Sequence, residues 1–460
     1  MLRRLSIGVA LVWIGCAPGK EDELAPPSGV SVDEAICLAA TLPGGDGDSD
    51  RARRAQRIDL AIQARVRAFR WELPWSRIEP QAGELDFSSY DRVVDSLHEA
   101  QIDYLGLLSY GNPWASSATS SNDKFPPDDP ADFAAYVRAA VSRYRDRVSR
   151  WEVWNEQNAG YRFWLPESDP AAYAELLEAA SAAAREADPG CTVAYGGTFF
   201  APQGIQGAVD FIEASYRAAP ALGESFDAMA FHPYMLYPPA VPPESKQALP
   251  PFDYLEQRSL VEMIRDVRAV LAAHGDGDKA IWITELGWPE FETVPADLQA
   301  AWLARAYLLA LSEGVELICW YTLQDSSGHD APWEDCFGLV RGDADPLAPP
   351  EPERKPAFHA LATLAQTLAG MRFDADLTAE AGLGVGAHLL RFAAPDRSRQ
   401  VLAAWSSAEP VRVELFPSLP GYAFEGAVGL LGEPQPLEAG PSAEIELGPD
   451  VIYLLERARD

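Results

Sequence analysis

The strongest constraint on the fold is an alternation that repeats eight times between residues 31 and 370. Short apolar or β-branched runs are each followed by a longer segment rich in Ala, Leu and Arg. The short runs have the composition of buried strands, whereas the long segments suit helices. Strands are predicted over Ala35–Ala39, Arg65–Arg70, Asp103–Leu108, Arg150–Asn155, Thr192–Tyr195, Ala228–Phe231, Ala280–Thr284 and Glu316–Trp320. Eight strands alternating with helices predict an α/β protein, a (β/α)8 TIM barrel with enlarged loops.

Helices are predicted in the segments between these strands. Their clearest representatives are Tyr90–Ala100, Pro130–Tyr144, Ala171–Ala187, Gln257–His274 and Ala296–Ser312. The last of them carries apolar residues at three- and four-residue spacing, which predicts an amphipathic helix with one face on the core.

The pattern changes after residue 370. The segment 371–460 has almost no helical periodicity and instead contains short alternating runs separated by Gly, Pro, Ser and Asp. These runs are Ala387–Phe392, Gln400–Trp405, Val411–Phe416, Glu444–Leu447 and Val451–Leu455. We therefore predict a catalytic barrel over 31–370 and a small antiparallel, sandwich-like β-domain over 371–460.

The N-terminus has the features of a targeting segment. A charged start is followed by a short apolar run, Leu5 to Ile14, that ends at Gly15-Cys16 and is too short to span a bilayer. A small residue before Cys16 resembles the cleavage box of bacterial lipoproteins, which implies a lipid on Cys16. Trp13 departs from this pattern, because an aliphatic residue is usual three positions before the Cys. We expect a signal segment over 1–16, a linker over 17–30, and an exported protein that is lipid-anchored at the outer membrane or cell envelope, or otherwise secreted.

Composition narrows the choice of partners. The 69 acidic residues against 37 basic ones give a formal net charge of −32, which argues against nucleic acid because phosphate binding needs a basic surface. The 13 Trp and 16 Tyr suit either sugar stacking or an ordinary core. Four cysteines besides Cys16 permit disulfides, but their pairing stays open. They contain no CxxC, and we expect no metal and no cofactor.

Two predicted strands end in carboxylates that suit acid–base chemistry. The fourth strand runs into Asn155, Glu156, Gln157 and Asn158, and the seventh ends at Glu285. Active sites of TIM barrels lie at the carboxyl ends of the strands, so Glu156 and Glu285 are expected to face one site. Hydrolysis of a glycosidic bond with retention needs one carboxylate nucleophile and one carboxylic acid donor. Ionisation of one raises the pKa of the other by repulsion, which keeps the donor protonated.

The motifs at these strand ends resemble those of the clan A glycoside hydrolases. Trp154-Asn155-Glu156 and Thr284-Glu285-Leu-Gly-Trp288 match the ends of that clan's fourth and seventh strands, where its catalytic Glu pair lies. The resemblance implies Glu156 as acid/base and Glu285 as nucleophile, with Asn155 bonding the sugar 2-hydroxyl. The passage 65–83 (RVRAFRWELPWSRIEPQAG) is similar to one in family 39 enzymes and their relatives, in which a trailing β-domain is also usual.

The same resemblance implies roles for residues on other strands. Arg70 supports the nucleophile, and Tyr234 of His232-Pro233-Tyr234 donates a hydrogen bond to it. Trp320 matches the clan's sugar-platform Trp on the eighth strand. We also expect His232 and Trp288, which closes the seventh strand motif, to belong to the substrate-binding site.

The third strand departs from a related family. Its end, residues 108–114 (LSYGNPW), lacks the His that family 5 cellulases carry there. Tyr110, Asn112 and Trp114 are therefore candidates for sugar contacts, with loop packing as the alternative.

Taken together, the residues predict a retaining glycoside hydrolase that cleaves β-linked poly- or oligosaccharide. A transglycosylase would use the same covalent intermediate, and a carbohydrate-binding protein without turnover would use the same cleft. Endo and exo action, the sugar and the oligomeric state are left open.

Overall fold

A computed structural model describes residues 29–200, 207–235, 241–245, 258–342, 352–437 and 440–458 of the 460-residue chain. The predicted signal segment, Cys16 and nearly all of the predicted linker lie outside the described residues. None of the helices in these ranges has the length and the hydrophobicity of a membrane-spanning segment.

Eight parallel strands form a closed barrel in the order β1 to β8. Because β1 pairs in parallel with both β2 and β8, the sheet has no free edge. The strands are β1 Ile36–Ala39, β2 Ala68–Pro74, β3 Asp103–Ser109, β4 Arg150–Asn155, β5 Thr192–Phe199, β6 Ala228–His232, β7 Ala280–Leu286 and β8 Leu317–Trp320. The predicted TIM barrel is confirmed.

Helices alternate with these strands along the chain. They are α1 Val32–Ala35, α2 Asp48–Gln63, α3 Trp75–Ile78, α4 Ser88–Glu99, α5 Pro130–Tyr144, α6 Pro170–Ala187, α7 Ala208–Ala218, α8 Leu260–Ala273, α9 Ala296–Ser312 and α10 Pro356–Thr367. Short 3-10 helices add Pro113–Ala115, Leu222–Ser225 and Pro332–Cys336.

Local sequence explains where several of these helices begin. Asp129 precedes Pro130 and accepts a hydrogen bond from the Ala131 amide, and Asp169 caps α6 in the same way. Proline suits the first helical position because its missing N–H would have no helical partner there. At α8, Ser259 and Glu262 form a reciprocal capping box.

Small side chains and one indole fill part of the barrel interior. Ala residues of β1, β2, β5 and β6 pack there with Leu105 and Trp282. A disulfide between Cys37 on β1 and Cys319 on β8 lies in the same cluster and joins the first and last strands. These two cysteines pair directly across the parallel ladder, with their Cα atoms 4.1 Å apart. Of the pairings that the sequence left open, the structure therefore contains this one.

A second compact unit comprises the described residues of 1–33, 295–314 and 355–460, whereas 34–294 and 315–354 form the barrel unit. Its strands are β9 Arg372–Asp376, β10 Ala387–Ala393, β11 Arg399–Ser406, β12 Val411–Leu415, β13 Tyr422–Val428, β14 Pro434–Gln435, β15 Ala443–Leu447 and β16 Ile452–Ala458. Six form one antiparallel sheet, β14-β13-β16-β11-β10-β9, and β12 pairs with β15. One apolar cluster contains residues from both sheets, which confirms a sandwich-like β-domain.

Helix α9 differs from its predicted amphipathic character. Every residue from Gln299 to Leu311 is buried, including Arg305. The helix packs against α10 within the second unit. A helix covered on all sides needs no polar stripe, so its apolar positions extend around the whole circumference.

Candidate active site

The carboxyl ends of β4 and β7 bring Glu156 and Glu285 together. Glu156 directly follows β4, and Glu285 is the sixth residue of β7. One carboxylate oxygen of each, together with one ring nitrogen of His232, lie within 4.8 Å of one another. Two carboxyl groups this close are suited to act on the two sides of one bond.

Both oxygens of Glu285 accept hydrogen bonds from cationic or phenolic donors. Arg70 Nη1 lies 2.6 Å from Oε1, and the Tyr234 hydroxyl lies 3.0 Å from Oε2. Burial alone would raise the pKa of Glu285. The charges of His232 and Arg70 and the two hydrogen bonds outweigh that effect, and the pKa of Glu285 is lowered from its ordinary value. The side chain is therefore held as a carboxylate.

Arg70 is fixed by a further acid, Glu152, behind Glu156 and Glu285. Its Nε lies 2.6 Å from Glu152 Oε2, its Nη2 lies 3.0 Å from Glu152 Oε1, and Nη2 also donates to Asn155 Oδ1 at 2.8 Å. Arg70 is 4% exposed and Glu152 is fully buried. A buried guanidinium with a bidentate partner is held rigidly, so Arg70 fixes the position of Glu285.

His232 connects Glu156 to the same network. Its Nδ1 lies 2.8 Å from Glu156 Oε1, and its Nε2 lies 3.0 Å from the Thr284 hydroxyl. Thr284 donates its single proton to Glu152, 3.1 Å away, so it must accept one from Nε2. One further proton is therefore shared between Nδ1 of His232 and the Glu156 carboxyl group. A shared proton at this position suits an acid that gives up a proton and takes it back.

Glu156, His232 and Glu285 are also close enough to ligate one cation. However, both ring nitrogens of His232 and both oxygens of Glu285 already have protein hydrogen-bond partners. A metal-bound imidazole needs one nitrogen lone pair directed at the ion. The donor set therefore suits proton transfer better than metal binding.

Glu156 and Glu285 face a cleft with a cavity volume of about 210 Å³. Its lining combines four acidic side chains with several aromatic ones. The lining residues are Glu72, Tyr110, Asn155, Glu156, Tyr161, Arg162, Phe163, Phe199, Tyr234, Glu285, Tyr321, Trp333, Glu334 and Phe337. Flat aromatic faces beside polar acceptors are suited to a pyranose ring, which has apolar faces and hydroxyl edges.

Of the residues predicted for the site, five line this cleft: Tyr110, Asn155, Glu156, Tyr234 and Glu285. Arg70 and His232 are buried behind them and act on the cleft through the two glutamates.

The structure does not bring the other four predicted residues to the cleft lining. Trp320 and Trp288 are fully buried, and their indole N–H groups donate to the carbonyls of Phe337 and Val241 at 3.2 and 2.8 Å. The side chains of Asn112 and Trp114 both donate to the Glu79 carbonyl, at 2.8 and 3.0 Å. For Asn112 and Trp114, these hydrogen bonds agree with the alternative of loop packing.

Several residues that line the cleft were not predicted from the sequence. Glu72 follows Arg70 by two positions on β2, so strand alternation alone would have placed both on one face. Tyr321 directly follows Trp320, the residue that the motif on the eighth strand predicts for the site. Trp333 lies in the 3-10 helix Pro332–Cys336, and nothing in the local sequence indicates that this helix reaches the cleft.

The backbone around the acid/base candidate adopts an uncommon conformation. Trp154 and Glu156 have φ values of 71° and 50°, in the left-handed region that residues with side chains rarely adopt. Such strain persists where the surrounding structure fixes it, and it concentrates at functional sites. Here it turns the chain at the end of β4 so that Asn155 and Glu156 both line the cleft.

Known proteins with similar sequences and folds are glycosidases. A family model described as beta-galactosidase, glycoside hydrolase family 42, matches residues 48–108. A 6-phospho-beta-glucosidase from Clostridium longisporum is 30% identical over 112 residues, which cover 23% of this chain and 24% of that protein. The chain thus spans about a quarter of the length of that curated relative.

Among solved structures, a family 39 glycoside hydrolase from Bacteroides cellulosilyticus is similar with a TM-score of 0.71 and 20% identity, covering 94% of this chain and 82% of that one. A monomeric beta-xylosidase from Caulobacter crescentus has a TM-score of 0.63 and 16% identity, covering 95% and 98%. The fold is that of clan A glycoside hydrolases, and the resemblance identified in the sequence is confirmed.

Proposed function

We propose that this protein is a retaining glycoside hydrolase that cleaves β-linked poly- or oligosaccharide. The observation that carries the proposal is the separation of the carboxylates: oxygens of Glu156 and Glu285 lie within 4.8 Å. Retaining enzymes hold their two carboxyl groups about 5–5.5 Å apart, whereas inverting enzymes need about 6.5–9.5 Å to admit a water molecule. A separation this short fits the retaining geometry, in which no water lies between the sugar and the nucleophile.

In the first step Glu285 acts as the nucleophile. Its carboxylate forms a bond to the anomeric carbon while Glu156 transfers its proton to the glycosidic oxygen, and the bond to the leaving group breaks. Arg70 and Tyr234 support this role because they keep Glu285 ionised and correctly oriented. The product is a covalent glycosyl ester on Glu285 and a free aglycone.

In the second step Glu156 acts as a base. It removes a proton from water, the water oxygen bonds to the anomeric carbon, and the ester bond to Glu285 breaks. His232 suits both steps because its Nδ1 shares the proton that Glu156 donates and regains. Two inversions at one carbon give net retention.

Asn155 is placed to hold the sugar during both steps. Its Oδ1 accepts a hydrogen bond from Arg70, so its amide N–H₂ is left to donate to the substrate. A hydrogen bond to the sugar 2-hydroxyl strengthens toward the transition state. The similarity to a 6-phospho-beta-glucosidase and to a beta-xylosidase supports a β-linked substrate.

The anomer first released tests the mechanism. Proton NMR of the reaction with a 4-nitrophenyl β-glycoside, recorded before mutarotation, should show the β-sugar first. Initial release of the α-sugar would contradict retention. Transfer of the sugar to an added alcohol in preference to water would indicate a transglycosylase with the same site.

We further propose that the protein is exported and anchored through lipid on Cys16. The charged start, short apolar run and Gly15-Cys16 of the sequence support this proposal. Several acyl chains anchor a protein stably, whereas one binds membranes marginally. In a lipoprotein-processing host, the native chain should partition into detergent and Cys16→Ser should not. Aqueous partitioning of both would contradict the anchor.

A further inference from the structure

The cleft contains a third carboxylate that neither step of hydrolysis uses. Glu72 lies on β2, two residues after Arg70, and lines the cleft together with Glu156 and Glu285. A carboxylate of the barrel wall beside the reacting pair is in position to contact the sugar itself.

Only one of the two carboxylate oxygens of Glu72 accepts a hydrogen bond from the described residues. The Tyr110 hydroxyl donates to Glu72 Oε1 at 3.1 Å, and this is the one hydrogen bond that Glu72 receives from the described part of the chain. Its second oxygen is therefore left for a ligand. Tyr110 is itself fixed by Lys124, whose Nζ lies 3.1 Å from the ring centroid and 3.0 Å from Asp123.

Glu72 is half-buried, so that it is partly withdrawn from water. Burial raises the pKa of Glu72, against the opposing charges of Lys124 and Arg70 and the hydrogen bond from Tyr110. A carboxylate that has lost water in this way gains much from ligand donors that replace it.

The charge of the cleft lining is strongly unbalanced. Four acidic side chains line it, those of Glu72, Glu156, Glu285 and Glu334, and Arg162 is the one cationic side chain among the described lining residues. Even when Glu156 holds the proton that it donates, three acids remain to one cation. A sugar carboxylate near Glu72 would meet a like charge and would offer no proton to it. Like-charge juxtaposition at a binding site disfavours the charged ligand strongly.

We propose that Glu72 is a specificity-determining residue that accepts hydrogen bonds from the hydroxyl groups of the bound sugar and excludes uronic acids from the cleft. The proposal rests on the glycosidase function proposed above. It identifies the substrate class as neutral sugars with free hydroxyl groups.

The test compares aryl glycosides that differ only at C6: 4-nitrophenyl β-glucoside with the β-glucuronide, and the β-galactoside with the β-galacturonide. The measured quantity is the ratio of kcat/KM for the neutral sugar to that for the uronide. Glu72→Gln keeps the shape and one acceptor oxygen but removes the charge, so this ratio should fall by about tenfold or more. Because both kcat/KM values are measured on the same variant, a fraction of misfolded protein lowers both equally and leaves their ratio unchanged.

Glu178→Gln is the matched control, since this exposed residue on α6 lies outside the cleft lining and should leave the ratio unchanged. Where Glu72→Gln turns over neither sugar, dissociation constants of the uncleaved thio-linked pair give the same ratio. An unchanged ratio in Glu72→Gln, or a native preference for the uronide, would overturn the proposal. A native protein that neither cleaves nor binds any neutral aryl glycoside would instead contradict the glycosidase function.

Discussion

Arg70 Nη1 lies 2.6 Å from Glu285 Oε1, and the other side of the same guanidinium is bound to Glu152. One buried guanidinium thus forms ion pairs with two carboxylates that differ in solvent exposure. Glu152 is fully buried, whereas the Glu285 side chain is 17% exposed and faces the cleft. Glu152 anchors the guanidinium, so that Glu285 can remain charged at a site where burial disfavours charge.

The first prediction concerns the acid limb of the pH profile. The pKa of Glu285 is lowered, and the role proposed for it as nucleophile requires the ionised form, so kcat/KM should fall only below the ordinary Glu value of about 4.3. Tyr234→Phe removes one of the hydrogen bonds that lower this pKa. The acid limb of kcat/KM should therefore move to higher pH, and the plateau should fall by about tenfold or more.

Tyr161→Phe is the control for this profile. Tyr161 lines the same cleft and is 62% exposed, but its hydroxyl is not among the groups bonded to Glu285. Its acid limb should coincide with that of the native protein. An acid limb that stays in place in Tyr234→Phe would show that Tyr234 does not stabilise the ionised nucleophile.

The second prediction separates the two catalytic roles. Glu156→Ala should lower kcat/KM on natural linkages by about 10²–10⁴-fold, the usual size of general acid–base catalysis. It should retain more activity on aryl glycosides whose leaving group needs no proton. Glu285→Gln should be inactive on both, because an amide cannot form the glycosyl ester.

Azide provides the decisive measurement for these variants. In Glu156→Ala the space left by the carboxylate admits azide, which attacks the glycosyl ester and should yield the β-azide. Mass spectrometry and NMR identify the product. An α-azide, or rescue of Glu285→Gln but not of Glu156→Ala, would reverse the assigned roles.

The strand ends could be predicted because they carry two signals at once. An apolar run that stops at a carboxylate indicates both a strand and a candidate site at its end. On this basis Glu156 and Glu285 are predicted to face one site, and the structure brings them together. The second strand is predicted to begin at Arg65, whereas β2 begins at Ala68, because Arg65 has a φ of 57° and turns the chain out of α2. Nothing in the composition of 65–70 reveals that turn.

The direction of side chains beyond a strand end was not predictable. Trp320 and Trp288 lie where the motifs place them, but both rings point into the core, and Tyr321 lines the cleft instead. Glu152 had a readable signal, since alternation places it in the barrel interior, where an acid needs a buried cation. The cation, Arg70, is 82 residues away in sequence, and only the closed barrel brings the two together.

The third prediction tests the space around His232. A Cβ added at Gly197 would lie 2.2 Å from His232 Nε2 and 2.8 Å from the Thr284 hydroxyl. Gly197→Ala should therefore displace the imidazole from Glu156 and lower kcat, with a stability loss of about 1–3 kcal/mol from overpacking. Gly47→Ala is the control, because a Cβ there meets nothing within 4 Å. Native kcat in Gly197→Ala would contradict a catalytic contribution of His232.

The fourth prediction concerns the disulfide that joins β1 and β8. Cys37 and Cys319 are 282 residues apart in sequence, so the bond restricts most of the unfolded chain. Loss of a disulfide typically costs about 2–4 kcal/mol of unfolding free energy. The double variant Cys37→Ala/Cys319→Ala, or the native protein in reductant, should therefore unfold at a lower temperature. Neither residue lines the cleft, so kcat/KM measured well below that temperature should stay at the native value.

Cys191→Ala is the control that distinguishes loss of the disulfide from loss of a free thiol. Cys191 is buried and has no sulfur partner among the described residues, so its replacement should leave the response to reductant intact. In the double variant, by contrast, reductant should cause no further change in the unfolding temperature, because the bond that it breaks is already absent. Equal unfolding temperatures of the native protein with and without reductant, under conditions in which thiol titration shows full reduction, would mean that closure of the barrel relies on the β1–β8 ladder alone.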